Sequence, residues 1–196
     1  MPNVLDFYNK REFFMSKLAK IKAQRENEGG FGNSDRLNLI IKRTEIFTNS
    51  YVQLKNMSVD QMKKRLHVDF SGEVGIDAGG LTKDFFSELS KEIFNADRKL
   101  FSLASNGSTY YPSPQSAKEK EFSDKFKFIG RVIGKALYEE CLLECYFVKP
   151  IYKIMLGEQI TLKDLEAYDN SLFKAFTWMM ANDITAMDQK FVVEGQ

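Results

Sequence analysis

The sequence is poor in the residues that build most metal sites and thiol-based active sites. Its 196 residues include two cysteines, one histidine and one tryptophan. A closed zinc site needs four ligands, and Cys141 and Cys145 supply only two thiolates. A Ser-His-Asp or Cys-His arrangement would have to use His67, and no known motif surrounds a candidate nucleophile. We therefore expect no metal site, no cofactor and no catalytic residue within this sequence.

The sequence also lacks an excess of charge of one sign and any long apolar run. The 28 basic residues are balanced by 27 acidic ones, which argues against electrostatic binding of nucleic acid. No stretch reaches the roughly 18 apolar residues of a membrane span, and the start, "MPNVLDFYNK", has no apolar core of a secretory signal. These absences predict an intracellular protein without nucleic-acid or membrane partners, located in the cytoplasm, with the nucleus as the alternative.

What the sequence does contain is enough apolar surface for a dense core. Apolar residues make up 43% of the chain, and 17 residues are phenylalanine. Their spacing predicts helices over residues 4–25, within 37–54, from Ser58, over 81–94, from Ser116 to about Cys145, over 150–157, from Thr161 and over 171–182. Alternation predicts a strand at 66–70, and Asn106-Gly107 predicts a hairpin within 100–111. The fold class is α+β, predominantly helical with small antiparallel β-hairpins.

The first predicted helix, residues 4–25, is basic and amphipathic. Phe7, Phe14, Leu18 and Ile21 share one face, and lysines and arginines occupy the others. One interpretation is a helix packed on its own domain with its lysines in water. The alternative is a helix that binds a membrane surface or a calmodulin-like groove.

The long helix predicted from Ser116 carries two glycines beside its apolar stripe. Since glycine weakens a soluble helix, Gly130 and Gly134 predict a close contact with a neighbouring helix, with the segment around Phe176 and Trp178 as the expected partner. The expected buried stripe consists of Phe122, Phe126, Ile129, Ile133 and Leu137. Cys141 and Cys145 are expected on the same helix.

The stretch "DFSGEVGIDAGGLTKDFFSEL" (69–89) has the glycines of a phosphate-binding loop but not its other features. A Walker loop needs a Lys-Ser/Thr pair after its last glycine, and here Gly80 is followed by Leu-Thr-Lys. Asp77 would repel an anion. We therefore expect a turn between a strand and a helix, in which Gly79 and Gly80 tolerate no side chain.

The same stretch closely resembles the hallmark segment of HECT-type ubiquitin-protein ligases, "F-x-GE-x-G-x-D-x-GG" followed by a helix. Other motifs follow in the family's order. They are "RTEIFTNSYVQL" (43–54), "LF" (100–101), "FKFIGRVIGKALYEECLLECYF" (126–147), "KPIYKIMLGEQITLKDLEAYD" (149–169) and "ANDI…MDQKFVV" (181–193). The segment "LLECYF" (142–147) resembles the large HECT ligases in particular.

The resemblance implies that residues 1–196 are the large N-lobe portion of a HECT domain, with an N-terminal helix at 1–25 and the lobe core at 37–193. In the family, a cysteine of a separate C-terminal lobe accepts ubiquitin from a conjugating enzyme as a thioester and passes it to a substrate lysine. Cys141 and Cys145 align with the central helix and with no part of that catalytic loop. The resemblance thus implies a scaffold that is inactive alone, with the conjugating-enzyme-binding subdomain and catalytic lobe expected beyond Gln196.

Its implied partners are ubiquitin, a ubiquitin-conjugating enzyme and substrate proteins. A weak ubiquitin-binding exosite of the family would fall near Phe47, Thr48, Ser113 and Lys125, although Lys125 stands where the family has an aromatic residue. The alternative interpretation is a non-catalytic ubiquitin- or protein-binding module without a catalytic lobe.

Overall fold

The computed structural model of the chain describes residues 5–29, 36–73 and 80–185. The chain divides into a first unit, Met1–Phe86 with Gly130–Leu142, and a second unit, Ser87–Ile129 with Leu143–Gln196. The helices are α1 (Phe7–Gly29), α2 (Ile46–Leu54), α3 (Val59–Met62), α4 (Gly80–Ile93), α5 (Phe122–Tyr138), α6 (Lys149–Met155), α7 (Leu162–Leu165) and α8 (Asn170–Ala181). The strands are β1 (Arg36–Ile41), β2 (Arg65–Phe70), β3 (Phe101–Leu103) and β4 (Tyr110–Pro112). The predicted helix-rich α+β class is confirmed.

The first unit contains a parallel strand pair that the sequence prediction did not include. Strands β1 and β2 pair in parallel with Leu39 opposite Val68. Both strands alternate between buried and exposed residues, and their buried residues face each other in the ladder: Leu37, Leu39 and Ile41 against Leu66, Val68 and Phe70. Parallel strands need a crossover, which α2 and α3 provide.

Side chains from neighbouring helices cover the outer edges of this small sheet. Gln53 of α2 donates to the Ile40 carbonyl oxygen (2.8 Å) and accepts from the Ile40 amide (3.2 Å). On the other strand, Glu139 accepts the amide hydrogen of Leu66 at 3.0 Å. An exposed strand edge can form hydrogen bonds with a strand of another chain, so these contacts protect the two-stranded sheet from such pairing.

Helix α1 extends further than predicted and buries less. It continues to Gly29, four residues beyond the predicted end at residue 25. Of the four residues on the predicted apolar face, only Leu18 is buried, and Phe7 is 79% exposed. Two ion pairs attach the second half of the helix to other segments of the first unit. Lys22 pairs with Glu140 (2.8 Å) and Arg25 with Asp60 (3.7 Å). Membrane or calmodulin binding by this helix stays a prediction.

The second unit contains the predicted antiparallel hairpin. Strands β3 and β4 pair with Ser102 opposite Tyr111, and the turn closes through the Ala104 amide and the Thr109 carbonyl oxygen (2.7 Å). Only Gly107 of the Asn-Gly pair has a positive φ (68°). The second strand ends at Pro112, one residue beyond the predicted hairpin range of 100–111.

Phe94, which directly follows α4, is the centre of an aromatic cluster in this unit. Its ring centroid lies 4.8 Å from Phe101, 4.7 Å from Tyr110 and 5.6 Å from Phe147. Tyr110 also forms a parallel bridge with Phe147, which attaches the segment before α6 to the hairpin. Aromatic pairs at these separations stabilise a core beyond their buried area.

The buried face of α5 is not the predicted one. Phe122 and Leu137 are exposed, Phe126 and Ile133 are half-buried, and only Ile129 of the predicted stripe is buried. The buried residues of α5 are Phe128, Ile129, Val132, Lys135 and Ala136. The predicted face is therefore rotated by about one residue, or about 100°.

Helix α5 ends at Tyr138, seven residues earlier than expected. Glu140 adopts a left-handed conformation (φ 59°). The Cys141 amide then donates to the Ala136 carbonyl oxygen at 2.9 Å, and the Glu140 amide donates to that of Leu137 at 3.2 Å. This is a Schellman motif with glutamate at the position that glycine usually takes.

Two of the three helix starts predicted at Ser58, Ser116 and Thr161 are confirmed. Ser58 with Gln61 begins α3, and Thr161 with Asp164 begins α7, each with a capping box. The helix start predicted at Ser116 is wrong. Ser116 lies inside a 3-10 helix, Pro114–Lys118, and its hydroxyl donates to the Ser113 carbonyl oxygen at 2.6 Å.

Asp164 is the buried polar centre of the α6–α7 pair. Its Oδ2 accepts from Lys153 Nζ at 2.7 Å and from the amide and hydroxyl of Thr161 at 2.8 and 3.0 Å. The hydrogen bond from Lys153, helped by those from Thr161, holds the pKa of Asp164 at about 2. These contacts favour the ionised carboxylate in the folded protein.

The second unit is therefore expected to lose stability in acid through Asp164. Its contribution is complete above about pH 4, near the pKa of an unfolded aspartate, and disappears as the pH falls through about 2. Urea unfolding followed by Trp178 fluorescence should show a steeper loss between about pH 4 and 2 in the wild type than in Asp164→Asn. Glu166→Gln, an exposed neighbouring carboxylate, should keep the wild-type slope; equal slopes for all three proteins would contradict this role.

Candidate functional site

Two acidic residues of the glycine-rich stretch, Glu73 and Asp84, pair with Arg43. Arg43 Nε donates to Glu73 Oε1 (2.5 Å) and its NH2 group lies 2.7 Å from Asp84 Oδ2. The guanidinium carbon lies 3.8 Å from the centre of the Phe70 ring. One arginine thereby joins the end of β2, the turn after it and the second turn of α4.

These contacts fix the charges of the cluster. The hydrogen bonds that Arg43 donates to Glu73 and Asp84 raise the pKa of Arg43, and the bond to Glu73 lowers the pKa of that carboxylate. The fork of an arginine matches carboxylates in this way with geometric specificity. The ion pairs of this cluster stabilise the turn. The Arg43 guanidinium is already paired with two carboxylates, so it is not available to bind a phosphate.

The glycines of this turn differ in what they require. Gly72 has a φ of +87°, a conformation that favours glycine. Gly80 is the first residue of α4, and a β-carbon built on it meets no heavy atom within 4 Å. The expectation that Gly80 tolerates no side chain is therefore wrong, while Gly79 lies outside the described residues.

The two cysteines lie beyond α5 and not on it, because the helix ends at Tyr138. Cys141 Sγ donates to the Glu139 carbonyl oxygen at 3.7 Å. Burial raises the pKa of the Cys145 thiol to about 11. A nucleophilic cysteine needs a stabilised thiolate, and Cys145 has the opposite environment.

The four residues predicted near a ubiquitin exosite are distributed over both units. In the first unit, Phe47 is buried and stacks on Tyr51 with ring centroids 6.5 Å apart, and its neighbour Thr48 is exposed. In the second, Ser113 is buried and caps the 3-10 helix with its hydroxyl, and Lys125 lies 3.7 Å from Glu119. Ubiquitin binding by these residues stays a prediction.

Sequence reasoning missed the exposed apolar residues of α6 and of α8. Trp178 and Met180, on the helix expected to pack against the α5 glycines, are 51% and 79% exposed. The end of α6 exposes Ile154, Met155 and Leu156 as well. The signal that could have identified these exposed residues is the density of large apolar residues in the short helices α6 and α8.

In residues 5–29, 36–73 and 80–185, no three His, Cys, Asp or Glu side chains are grouped so that they could bind a metal ion. No helix in those ranges combines the length and apolarity needed to cross a bilayer.

Comparison with known proteins identifies the family. The model of the HECT domain (ubiquitin-transferase) matches residues 87–196. The chain is also similar to E3 ubiquitin-protein ligase TOM1 of Saccharomyces cerevisiae, with 38% identity over 196 residues. Identity is 38% over 184 residues to E3 ubiquitin-protein ligase UPL1 of Arabidopsis thaliana and 34% over 196 residues to E3 ubiquitin-protein ligase HUWE1 of Mus musculus.

The matches cover nearly all of this chain but little of each relative. They span 98%, 94% and 98% of the chain, and 6%, 5% and 4% of TOM1, UPL1 and HUWE1 respectively. The family model alone covers more than half of the sequence, including the aromatic cluster around Phe94 and helices α6 to α8. The chain belongs to the HECT-domain (ubiquitin-transferase) family.

Proposed function

We propose that this chain is the N-lobe scaffold of a HECT ubiquitin-protein ligase, with the lobe core at residues 37–193. The observation that carries the proposal is the family match over residues 87–196, together with similarity along nearly the whole chain to proteins named E3 ubiquitin-protein ligases. The partners that follow are ubiquitin, a ubiquitin-conjugating enzyme and substrate proteins. The proposed compartment is the cytoplasm, with the nucleus as the alternative.

In this proposal the transfer of ubiquitin takes place on a cysteine outside the present sequence. The thiolate of that cysteine attacks the thioester of the charged conjugating enzyme and releases that enzyme's thiol. A substrate amine then displaces the cysteine and forms the amide bond. Neither Cys141 nor Cys145 suits this role, since burial disfavours the Cys145 thiolate and Cys141 follows directly on a helix terminus.

The 196-residue chain is expected to form no thioester with ubiquitin. Incubation with activating enzyme, charged conjugating enzyme and labelled ubiquitin should give no adduct that a thiol reductant removes. A longer polypeptide that continues the relatives' domain beyond Gln196 should form one. Non-reducing gel electrophoresis measures both outcomes.

The two cysteines provide the control. In the longer polypeptide, the double variant Cys141→Ser/Cys145→Ser should still form the adduct, because the reacting thiol lies elsewhere. Loss of the adduct in a variant that remains folded would move the chemistry into this chain. A longer polypeptide that never forms a thioester would instead support the non-catalytic binding module.

A further inference from the structure

The first unit carries an apolar groove on its surface, with a volume of about 350 Å³. It lies between α3, with the loop before it, and the last two turns of α5. The residues that line it are Met57, Val59, Met62, Lys63, Arg131, Gly134, Lys135 and Tyr138. This size falls within the range of protein ligand pockets, which begins at about 300 Å³.

The missing side chain of Gly134 keeps the groove open. A β-carbon built on Gly134 meets no heavy atom within 4 Å. The expected close contact with another helix is therefore absent at this residue. Because glycine is a poor helix former, its presence in the interior of α5 is better explained by the space above it.

The walls of the groove are held in place by hydrogen bonds. The Arg131 guanidinium donates to the carbonyl oxygens of Leu54 (3.1 Å) and Lys55. Lys135 Nζ donates to the Lys64 carbonyl oxygen and lies 2.6 Å from Glu139 Oε1. A groove fixed in this way is formed before any partner binds, which lowers the entropic cost of binding.

The groove and its rim are electropositive. Three of the eight lining residues are basic and none is acidic; Lys135 is already paired with Glu139, so among the described residues Lys63 and Arg131 carry the uncompensated charge. The nearby carboxylates of Asp60 and Glu140 already pair with Arg25 and Lys22 of α1. Within the described part of the chain, Lys63, in the lining, has no carboxylate within ion-pair distance.

We propose that this groove binds a short acidic peptide segment of another protein. One bulky apolar side chain of the peptide occupies the space above Gly134, between Met57 and Met62. Flanking aspartates or glutamates face Lys63 and Arg131. The apolar lining supplies affinity for the anchor, and the unbalanced positive charge selects an acidic partner over a neutral or basic one.

The test is a selection from a display library of random 12-residue peptides against the intact chain. Selected peptides should combine a Leu, Phe or Trp anchor with flanking carboxylates. Fluorescence anisotropy should then show at least tenfold weaker binding to Gly134→Leu, which fills the groove. Gly130→Leu is the matched control, since Gly130 lies one turn earlier on α5, also with open space, and should bind like the wild type.

A second pair of variants tests the charge without filling the groove. Lys63→Glu should weaken binding at least fivefold, whereas Lys127→Glu, on an exposed part of α5 away from the groove, should not. In a chain labelled with methyl-¹³C methionine, the peptide should shift the Met57 and Met62 signals. The proposal is overturned if no peptide is enriched, if the selected peptides lack acidic residues, or if neither Gly134→Leu nor Lys63→Glu weakens binding more than its control.

Discussion

Replacement of Phe128 by alanine should destabilise the chain by about 3 to 5 kcal/mol, the usual cost of removing a buried phenylalanine side chain. Phe128 has no exposed surface and belongs to the buried face of α5. Removing its ring leaves a cavity in a densely packed region, and the neighbouring residues relax only partly around it. Urea unfolding followed by circular dichroism and Trp178 fluorescence measures the change.

Phe122 offers a control of the same residue type on the same helix. It is 42% exposed, so Phe122→Ala should cost less than about 1 kcal/mol. The sequence prediction placed Phe122 in the buried stripe and left Phe128 out of it, so the two variants decide between the predicted and observed faces. A larger loss for Phe122→Ala than for Phe128→Ala would favour the predicted face.

The predicted face of α5 was wrong because the buried face contains a lysine. Apolar residues occur on much of this helix, and the stripe without a charge is the natural choice from sequence. Lys135 nevertheless lies in the buried face, because Glu139 and the Lys64 carbonyl oxygen satisfy its ammonium group. Lys64 lies 71 residues before Lys135 in the chain, so the local sequence gives no sign that its carbonyl oxygen accepts from the lysine.

Local signals were reliable where the partners lie within one turn. The helix starts at Ser58 and Thr161 were predicted because a side chain and an amide three residues apart decide them. The same pattern failed at Ser116 because the preceding Ser113-Pro114 starts a 3-10 helix first. The end of α5 gave no signal, since Glu140 takes the left-handed conformation without glycine.

The strand pairing and the candidate sites depend on contacts between distant segments. The alternation of residues 66–70 predicted a strand, but its parallel partner follows from the α2–α3 crossover, which periodicity does not specify. The cluster around Arg43 joins residues 30 and 41 positions downstream, Glu73 and Asp84. The family resemblance identified the order of the family's motifs along the chain, but it did not indicate which side chains contact each other.

The Lys135–Glu139 pair is the most buried ion pair in the described part of the chain. The lysine side chain is 2% exposed and the glutamate side chain 15%. Burial lowers the pKa of Lys135 even though Glu139 opposes this change, which indicates how strongly water is excluded. Glu139 also accepts the Leu66 amide hydrogen, so the pair connects α5 to the edge of β2.

Lys135→Met should therefore destabilise the chain by about 3 to 5 kcal/mol, because a buried carboxylate and the Lys64 carbonyl oxygen lose their partner. Methionine keeps most of the apolar stem, so the loss reports on the charge and not on a cavity. The unfolding free energy from urea titration is the measurement. Lys127→Met, on an exposed surface of the same helix, should change it by less than about 0.5 kcal/mol.

A second substitution separates the stranded charge from the lost lysine. Lys135→Met/Glu139→Gln removes the carboxylate charge but retains a side-chain oxygen for the Leu66 amide. It should recover at least about 1 kcal/mol relative to Lys135→Met, since an uncharged amide is less costly to bury than an unpaired carboxylate. If the double variant were less stable than Lys135→Met, the cost would come from lost lysine contacts rather than from the stranded charge. The pair would then stabilise the sheet edge chiefly through the Lys64 carbonyl oxygen.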